Sequence, residues 1–188
     1  MRQLYQTLRS LSIYPGKTGH SGGICITKYT YTEKRIMSAI LALMAERPYE
    51  EISISDIVLR AQVGRSSFYR HFNSREDVVR RHMKAILEKW GEEFEALGRP
   101  EELGPSLLRH FYGNREFYLL LHRSGLGSLL LEAIRGAMEL DRKPDQEAYP
   151  LSWFAGGLYG LVDEWLRRGM TATPEQLGSM APQGGGTP

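Results

Sequence analysis

The sequence predicts an all-α fold. From residue 32 onward, apolar side chains recur at the three- and four-residue spacing of amphipathic helices, and no stretch alternates apolar and polar residues as a strand would. Prolines and glycines stand where these helical patterns stop, as Pro48, Gly98 and Pro100 do. Hydrophobic residues make up 41% of the 188 residues, which is enough for a packed core.

Capping residues and prolines set the limits of the individual helices. Thr32 begins the first helix, and Ser53 or Ser55 caps the second. Asn114 is the expected cap of the sixth helix, and Pro150 the first residue of the last long one. The predicted helices span residues 32–47, 53–61, 65–72, 74–97, 101–112, 114–123, 126–140, 150–168 and 174–181, with a polar loop over residues 141–149.

Residues 53–77 hold the pattern that points to a function. Two short helices are joined by a tight turn at residues 62–64, where Gly64 tolerates the bend. The second helix has only Phe68 and Phe72 as strong apolar anchors. Its other side chains are hydroxyls, guanidinium groups and an imidazole, which can bond phosphate oxygens and base edges. Such a unit suits the major groove of DNA.

Residues 61–77 read AQVGRSSFYRHFNSRED. This run resembles the DNA-binding core of the TetR family of transcriptional regulators, whose pattern is roughly A-G-V-S-x-x-T-[FL]-Y-x-H-F-x-[SN]-K-[ED]-[ED]. The resemblance extends over about residues 32–80, and the aromatic pair, the His-Phe step and the capped acidic turn occur together in order. The chain departs from the pattern with Gln62 for Gly, Gly64 for Ser, Ser67 for Thr and Arg75 for Lys.

The resemblance implies two groups of side chains that contact a double-stranded DNA operator. One group holds phosphates and comprises Ser53, Ser67, Tyr69, His71 and Arg75. The other lies on the recognition helix and sets the sequence preference; it comprises Arg65, Ser66 and Arg70.

Composition limits where the protein is expected to reside and which disulfide or zinc sites it can form. A single cysteine, Cys25, excludes an internal disulfide and a multi-cysteine zinc site. No apolar run reaches the roughly 18 to 20 residues of a membrane span, and the N-terminus lacks a secretion signal. We therefore expect a cytoplasmic protein without membrane contact.

Charge divides unevenly along the chain. Residues 28–90 carry twelve Lys and Arg against eight Asp and Glu, and residues 91–188 carry nine against fourteen. A basic N-terminal part beside an acidic C-terminal part suits a protein that presents one end to a polyanion. Ordinary scatter of surface charge explains the same numbers equally well, so the charge supports the motif and does not replace it.

Four segments are predicted. Residues 1–29 form a flexible arm, unless translation starts further downstream, and residues 30–75 form the helix-turn-helix DNA-binding domain. Residues 76–181 form a helical effector and dimerisation domain, and residues 182–188 a disordered, glycine-rich tail.

The last long helix is expected to meet another helix closely. It is apolar over most of its circumference yet contains several glycines, and each costs about 0.5 to 1 kcal/mol relative to alanine inside a helix. The resemblance implies that the partner is a second copy of the chain, in a four-helix bundle; packing within one chain is the alternative. The expected interface residues are Trp153, Gly156, Gly157, Gly160, Leu161 and Trp165.

Aromatic and imidazole side chains concentrate in the middle helices. The resemblance implies that a small, largely apolar effector binds among them and tilts the DNA-binding domains apart. The alternative is that these side chains are core and half-buried surface groups. The residues concerned are Trp90, Phe94, His110, Phe111, Phe117, Tyr118 and His122.

Together these features predict a homodimeric transcriptional regulator, a repressor released from a palindromic operator by a small-molecule effector. The alternative is a ligand-independent helix-turn-helix regulator controlled by a protein partner or by its abundance. We expect no cofactor, no metal and no enzyme activity. His110 and His122 of the middle helices are twelve residues apart and so lack the helical spacing of metal ligands.

Overall fold

The structure is a computed structural model that describes residues 29–180. Nine α-helices and three short 3₁₀ turns, without a β-strand, make up this part of the chain, which confirms the all-α prediction. The predicted arm, apart from Tyr29, and the predicted tail lie outside the described residues. The helices are α1 (Tyr31–Glu46), α2 (Ile54–Ala61), α3 (Arg65–His71), α4 (Arg75–Leu97), α5 (Leu103–Gly113), α6 (Arg115–Arg123), α7 (Ser128–Ala137), α8 (Asp145–Arg167) and α9 (Pro174–Met180).

Helices α1, α2 and α3 pack with the start of α4 around one apolar core. Phe68 of α3 is fully buried, and its ring centroid lies 5.9 Å from that of Phe72, the C-cap residue that follows α3. Ile40 of α1 and Ile57 of α2 are buried in the same core. Burying a large apolar side chain stabilises a fold by about 1.5 to 3 kcal/mol, so α3 is held by one face while its other face meets solvent.

Two capping boxes begin the first helices. Thr30 caps α1 and exchanges hydrogen bonds with Glu33, so the helix starts before the predicted Thr32. Ser53, one of the two predicted caps, exchanges the same pair of bonds with Asp56 at the start of α2. Each box satisfies backbone N–H groups that have no partner inside the helix.

The turn between α2 and α3 corrects the prediction for Gly64. The left-handed residue is Gln62, with φ of 51° and ψ of 48°, whereas Gly64 is extended with φ of −75°. A side chain in the left-handed region costs roughly 1 to 2 kcal/mol. The family pattern has glycine where Gln62 stands, and the structure explains that pattern, because the αL bend falls at this position.

Helix α4 continues from the N-terminal bundle into a body formed by α5 to α9. In the body, Phe111, Tyr118 and Leu121 are buried with less than 2% of their surface exposed. Helix α7 packs against α8, and the short α9 lies against α5, where Leu177 is partly buried. The body is thus a helical bundle whose core is continuous with that of the N-terminal bundle.

Two predicted helix limits in the body are wrong. Helix α8 begins at Asp145, and Pro150 lies inside it, although a proline there leaves the Gln146 carbonyl without its helical donor. The extra turn is stabilised by acidic residues that complement the helix dipole, and Glu147 lies 3.4 Å from Lys143. The end of the preceding helix also differs, since α7 stops at Ala137 and a 3₁₀ turn follows at Leu140–Arg142.

Asn114 does not cap α6 through its side chain. Its amide nitrogen instead donates to the carbonyl oxygen of His110, at 2.9 Å, and so closes the end of α5. The residue therefore serves the helix before it, because both helices share it at their junction.

Candidate nucleic-acid interface

The outward face of α3 is polar. Phe68 points into the core, while Arg65, Ser66 and Arg70 are exposed and Ser67 is partly exposed. Tyr69 has 51% of its surface exposed, and its ring meets the edge of the Phe68 ring at 5.6 Å. The buried anchor thus fixes the helix, and the exposed side chains are left to contact a partner.

Three of the predicted phosphate-binding residues line one open depression. Ser53, Tyr69 and Arg75 come from three elements and meet around a depression of about 460 Å³. The N-termini of α2 and α4 both lie at its wall, and helix N-termini attract anions through their unpaired N–H groups and the helix dipole. Glu50 and Glu51 stand on the same wall and oppose an anion, so the depression favours a phosphate at its helix ends only.

Arg75 also holds the fold together. Its Nη1 donates to the carbonyl oxygen of Tyr49 at 2.7 Å, to that of Glu50 at 3.3 Å and to that of Ile52. Its guanidinium lies 4.3 Å from the centroid of the Tyr49 ring. Arg75 therefore ties the segment before α2 to the start of α4, and it also lines the depression.

His71 is turned toward α1. Its Nδ1 lies 3.6 Å from Oε1 of Glu33, and 22% of its side chain is exposed. Burial alone would raise the pKa of Glu33, but hydrogen bonds from the Thr30 backbone and hydroxyl and the nearby His71 lower it below its usual value. The structure thus places His71, one of the predicted phosphate ligands, beside an acidic partner.

Ser53 likewise lines the depression and also has an acidic partner, Asp56. Its hydroxyl and backbone N–H, together with Arg47, lower the pKa of Asp56 to about 2. The carboxylate is therefore ionised at neutral pH, and it fixes the Ser53 hydroxyl at the mouth of the depression.

Sequence patterns miss Arg35 on α1. Its Nη2 donates to Oε1 of Gln62 at 2.8 Å, and so connects α1 to the turn that precedes α3. The two residues are 27 positions apart, and local spacing gives no signal for such a contact. The departure of Gln62 from the family pattern is the only hint in the sequence.

The aromatic residues of the body form one cluster. Their rings contact each other between α4, α5 and α6, with centroid distances from 4.9 Å for Phe111–Tyr118 to 5.9 Å for His110–Tyr118. Within the cluster, Nε2 of His110 and the Tyr118 hydroxyl are 2.9 Å apart. The predicted members that the structure joins here are Trp90, Phe94, His110, Phe111, Phe117 and Tyr118.

His122 lies apart from this cluster. Its Nε2 is 3.4 Å from Oδ1 of Asp163 on α8, and it is only partly buried. The structure therefore does not bring His122 to the predicted effector site, because its side chain faces α8. No group of three or more potential metal ligands occurs among residues 29–180.

Burial shifts the pKa values of the two polar groups of the cluster in opposite directions. It lowers the pKa of His110 to about 4 and raises the pKa of the Tyr118 hydroxyl far above its usual value. Both groups are therefore neutral at pH 7, and together they satisfy each other in apolar surroundings.

Helix α8 exposes a large apolar side chain beside a strip of glycines. Trp153 has 80% of its surface exposed. A Cβ at Gly156, Gly157 or Gly160 would meet no neighbouring atom within 4 Å in the described part of the chain. Packing of the strip within one chain is thus excluded for residues 29–180, and the face is open.

Trp165 was predicted at this face, and that prediction is wrong for the single chain. Its side chain is 3% exposed, stacks on Tyr112 at 5.9 Å and donates from Nε1 to the carbonyl oxygen of Ala172 at 3.0 Å. The fold places α5 and the segment before α9 over this residue, which a helical wheel cannot show. Leu161 remains partly exposed.

The chain is similar to solved structures over most of its length. A crystal structure of Lin0861 from Listeria innocua has 20% sequence identity and a TM-score of 0.69, covering 79% of this chain and 86% of that one. The dihydroxyacetone kinase operon activator DhaS has 22% identity and covers 80% of this chain and 91% of that one, but its TM-score of 0.46 carries no argument. The first likeness shows the fold alone. No curated protein matches the chain.

A family profile gives the identity of the N-terminal bundle. Residues 36–81, which run from the core of α1 through α3 into α4, match "Bacterial regulatory proteins, tetR family". This is the segment that carries the exposed polar helix and the depression at the two helix N-termini. This match identifies residues 36–81 as a DNA-binding domain of the tetR family of transcriptional regulators.

Proposed function

We propose that the protein is a homodimeric repressor that binds an approximately palindromic operator through α3 and leaves it when a small apolar effector binds the body. The observation that carries the DNA part of this proposal is the exposed face of α3, which carries Arg65, Ser66 and Arg70 and on which Tyr69 lines the depression. Because the ligand is DNA, we place the protein in the cytoplasm. No helix among residues 29–180 combines the length and apolar character needed to cross a bilayer.

The proposed contacts divide into two kinds. Arg65 and Arg70 are long, exposed and able to form paired hydrogen bonds with guanine O6 and N7, so we assign them to base reading. Ser53 and Tyr69 line the depression and are assigned to backbone phosphates. Ser66 and Ser67 add hydroxyls that can serve either kind of contact. Arg75 adds positive charge to the residues assigned to phosphate contacts, while its Nη1 remains hydrogen-bonded to backbone carbonyl oxygens.

The division of the chain follows the same arrangement. We assign residues 30–75 to DNA binding and residues 76–181 to dimerisation and effector binding. The support for the boundary is α4, which begins at Arg75 beside the depression and ends at Leu97 in the body.

The proposed dimer forms through the open face of α8. Trp153 supplies exposed apolar area, and the glycines allow a second helix to approach its backbone closely. A two-fold dimer presents two copies of α3, which read half-sites about 34 to 36 Å apart, or a multiple of one helical turn. The operator is then an approximate palindrome.

The proposed effector site is the aromatic cluster around His110 and Tyr118. This pair is a polar contact in apolar surroundings, which suits a largely apolar ligand with one or two polar groups. The rings already contact each other, so a ligand must displace at least one ring to enter. The closeness of these rings favours the second candidate, a regulator without a small effector, controlled by a protein partner or by abundance.

The assignment of base and phosphate contacts is tested by selecting duplexes from a random library with the wild-type chain and with Arg65→Ala and Tyr69→Ala. We expect Arg65→Ala to change the selected sequence at a position that the wild type reads, at about 1 to 3 kcal/mol of lost discrimination. Tyr69→Ala should weaken binding to all duplexes by a similar factor and leave the selected sequence unchanged. An equal loss for every sequence in both variants would contradict the division.

A further inference from the structure

We propose that Glu33 and Arg35, in the first two turns of α1, are positioning residues that hold the two ends of the recognition helix α3 at its DNA-binding angle. The inference rests on the proposed function, because the angle of α3 matters only if this helix docks into a groove.

The first contact is at the turn before α3. Arg35 donates from Nη2 to the side-chain oxygen of Gln62, and its guanidinium also lies 5.5 Å from the centroid of the Tyr31 ring. Gln62 has the left-handed backbone that side chains rarely adopt, with φ of 51°. A glycine would adopt this backbone more easily but could not accept the bond from Arg35. Glutamine at position 62 therefore accepts a less favourable backbone conformation, but its side chain forms a hydrogen bond that links the turn to α1.

The second contact is at the end of α3. His71 is the last residue of this helix, and its ring nitrogen faces the carboxylate of Glu33. That carboxylate is already fixed, since its other oxygen accepts hydrogen bonds from the Thr30 backbone at 2.8 Å and from the Thr30 hydroxyl at 2.9 Å. The capping interaction of α1 therefore holds the Glu33 carboxylate in place opposite His71, at the end of α3.

Helix α3 needs such contacts because it is short and only a few of its side chains are buried in the core. It has seven residues, and its apolar attachment depends on Phe68 and on Phe72 at its end. Two rings on one side leave a rotation about the line that joins them. Contacts before the first residue and at the last residue, both made by the same rigid helix, oppose that rotation and fix where Arg65 and Arg70 stand.

The first contact is tested by a double-mutant cycle of Arg35→Ala and Gln62→Ala. One readout is amide hydrogen exchange over residues 63–68 in the free protein, measured at the Val63 and Phe68 amides, which donate to the carbonyl oxygens of Val58 and Gly64, relative to the buried amides of α1. The other is the ratio of affinities for a duplex that the wild type selects from a random library and for a scrambled duplex. Lys34→Ala is the matched control, since it removes an exposed neighbouring cation from the same helix.

We expect Arg35→Ala and Gln62→Ala each to speed exchange over residues 63–68 by about two- to tenfold, the range of one hydrogen bond. Each should lower the affinity ratio by a similar factor, and the double variant should lose no more than either single one. Gln62→Gly should keep the thermal midpoint of the wild type yet abolish the effect of Arg35→Ala. Lys34→Ala should leave exchange and the affinity ratio unchanged, with at most a uniform loss of affinity.

The second contact is tested by Glu33→Gln, which keeps the acceptor for the α1 cap, and by His71→Ala. Their effects on the affinity ratio should be non-additive, as expected for one shared contact. Additive effects, or unchanged exchange over residues 63–68 in Arg35→Ala, would overturn the positioning role even if the protein binds DNA. A wild-type chain that selects no duplex but shows the exchange effect would refute the proposed function and leave α1 as a purely structural brace.

Discussion

His110 lies in surroundings that oppose its protonation. Trp90, Phe111 and Tyr118 contact its ring, and only 9% of its surface is exposed. Burial lowers its pKa from 6.5 to about 4. Because burial among these rings disfavours the protonated imidazole, the stability of the body depends on pH through this residue.

The pH dependence has a definite sign. Between pH 6.5 and pH 4, the unfolded chain binds a proton at His110 that the folded chain does not, so the free energy of unfolding falls as the pH falls through this window. The loss is up to about 1.4 kcal/mol per pH unit from this group, and none is expected above pH 6.5. Urea unfolding at pH 7.5 and pH 5 measures it.

His110→Gln is the matched variant, because its amide can still bond the Tyr118 hydroxyl. Its free energy of unfolding should change less between the two pH values than that of the wild type. His82, whose pKa is also lowered by burial, acts in the same direction but is present in both proteins. An equal pH dependence in both would show that His110 titrates normally.

At the scale of single helices, α3 and α8 are alike in having one face buried and one face open. The open face of α3 carries hydrogen-bonding groups, whereas that of α8 carries Trp153, Tyr149 and glycines. A polar face suits DNA, and an apolar face with small residues suits another helix. We therefore propose a different partner for each of the two helices.

Introducing a charge on α8 tests its proposed partner. Gly157→Asp places a carboxylate on the open strip, where a Cβ meets nothing in the single chain, so the fold should persist while sedimentation shifts from dimer to monomer. Gly91→Asp on α4 is the control, because that glycine is also helical and open. A dimer that persists in Gly157→Asp would remove the strip from the interface.

Local patterns predict the helices well, but they predict the first residues of the helices less well and long-range contacts poorly. Ser53 is one of the two caps predicted for α2, and in the structure it caps the helix through Asp56, three residues away. The carbonyl contacts of Arg75 and the burial of Trp165 depend on segments that the fold brings together. Pro150 was placed at a helix start because its cost inside a helix is general, whereas the stabilisation of the preceding turn is specific to this chain.

In the whole molecule, α4 connects the DNA-binding end to the body. It has 23 residues and is thus about 35 Å long. Arg80 on α4 lies 3.3 Å from Glu132 on α7, and the His82 ring meets the edge of Phe117 on α6 at 4.8 Å. These contacts lie just beyond the first turns of α4, so we expect a shift of α6 or α7 to act on the helix that carries the DNA-binding end.

This connection makes a prediction for any effector. A compound that raises the thermal midpoint by binding among the rings and that releases DNA must itself bind more weakly when the operator is present, by the same factor. Calorimetric titration with and without the selected duplex measures both factors. A compound that releases DNA while its own affinity is unaffected by the duplex would act elsewhere, for example on the DNA.

The most direct test of the account is the affinity of the wild-type chain for a duplex of its own selection and for a scrambled duplex, measured over a range of salt concentrations. We predict that the affinity for both duplexes falls steeply as salt rises, because phosphate contacts release counterions. We also expect the selected duplex to bind at least about 10³-fold more tightly. Absence of salt-sensitive binding to every duplex, or equal binding to both, would contradict the claim that α3 reads DNA sequence.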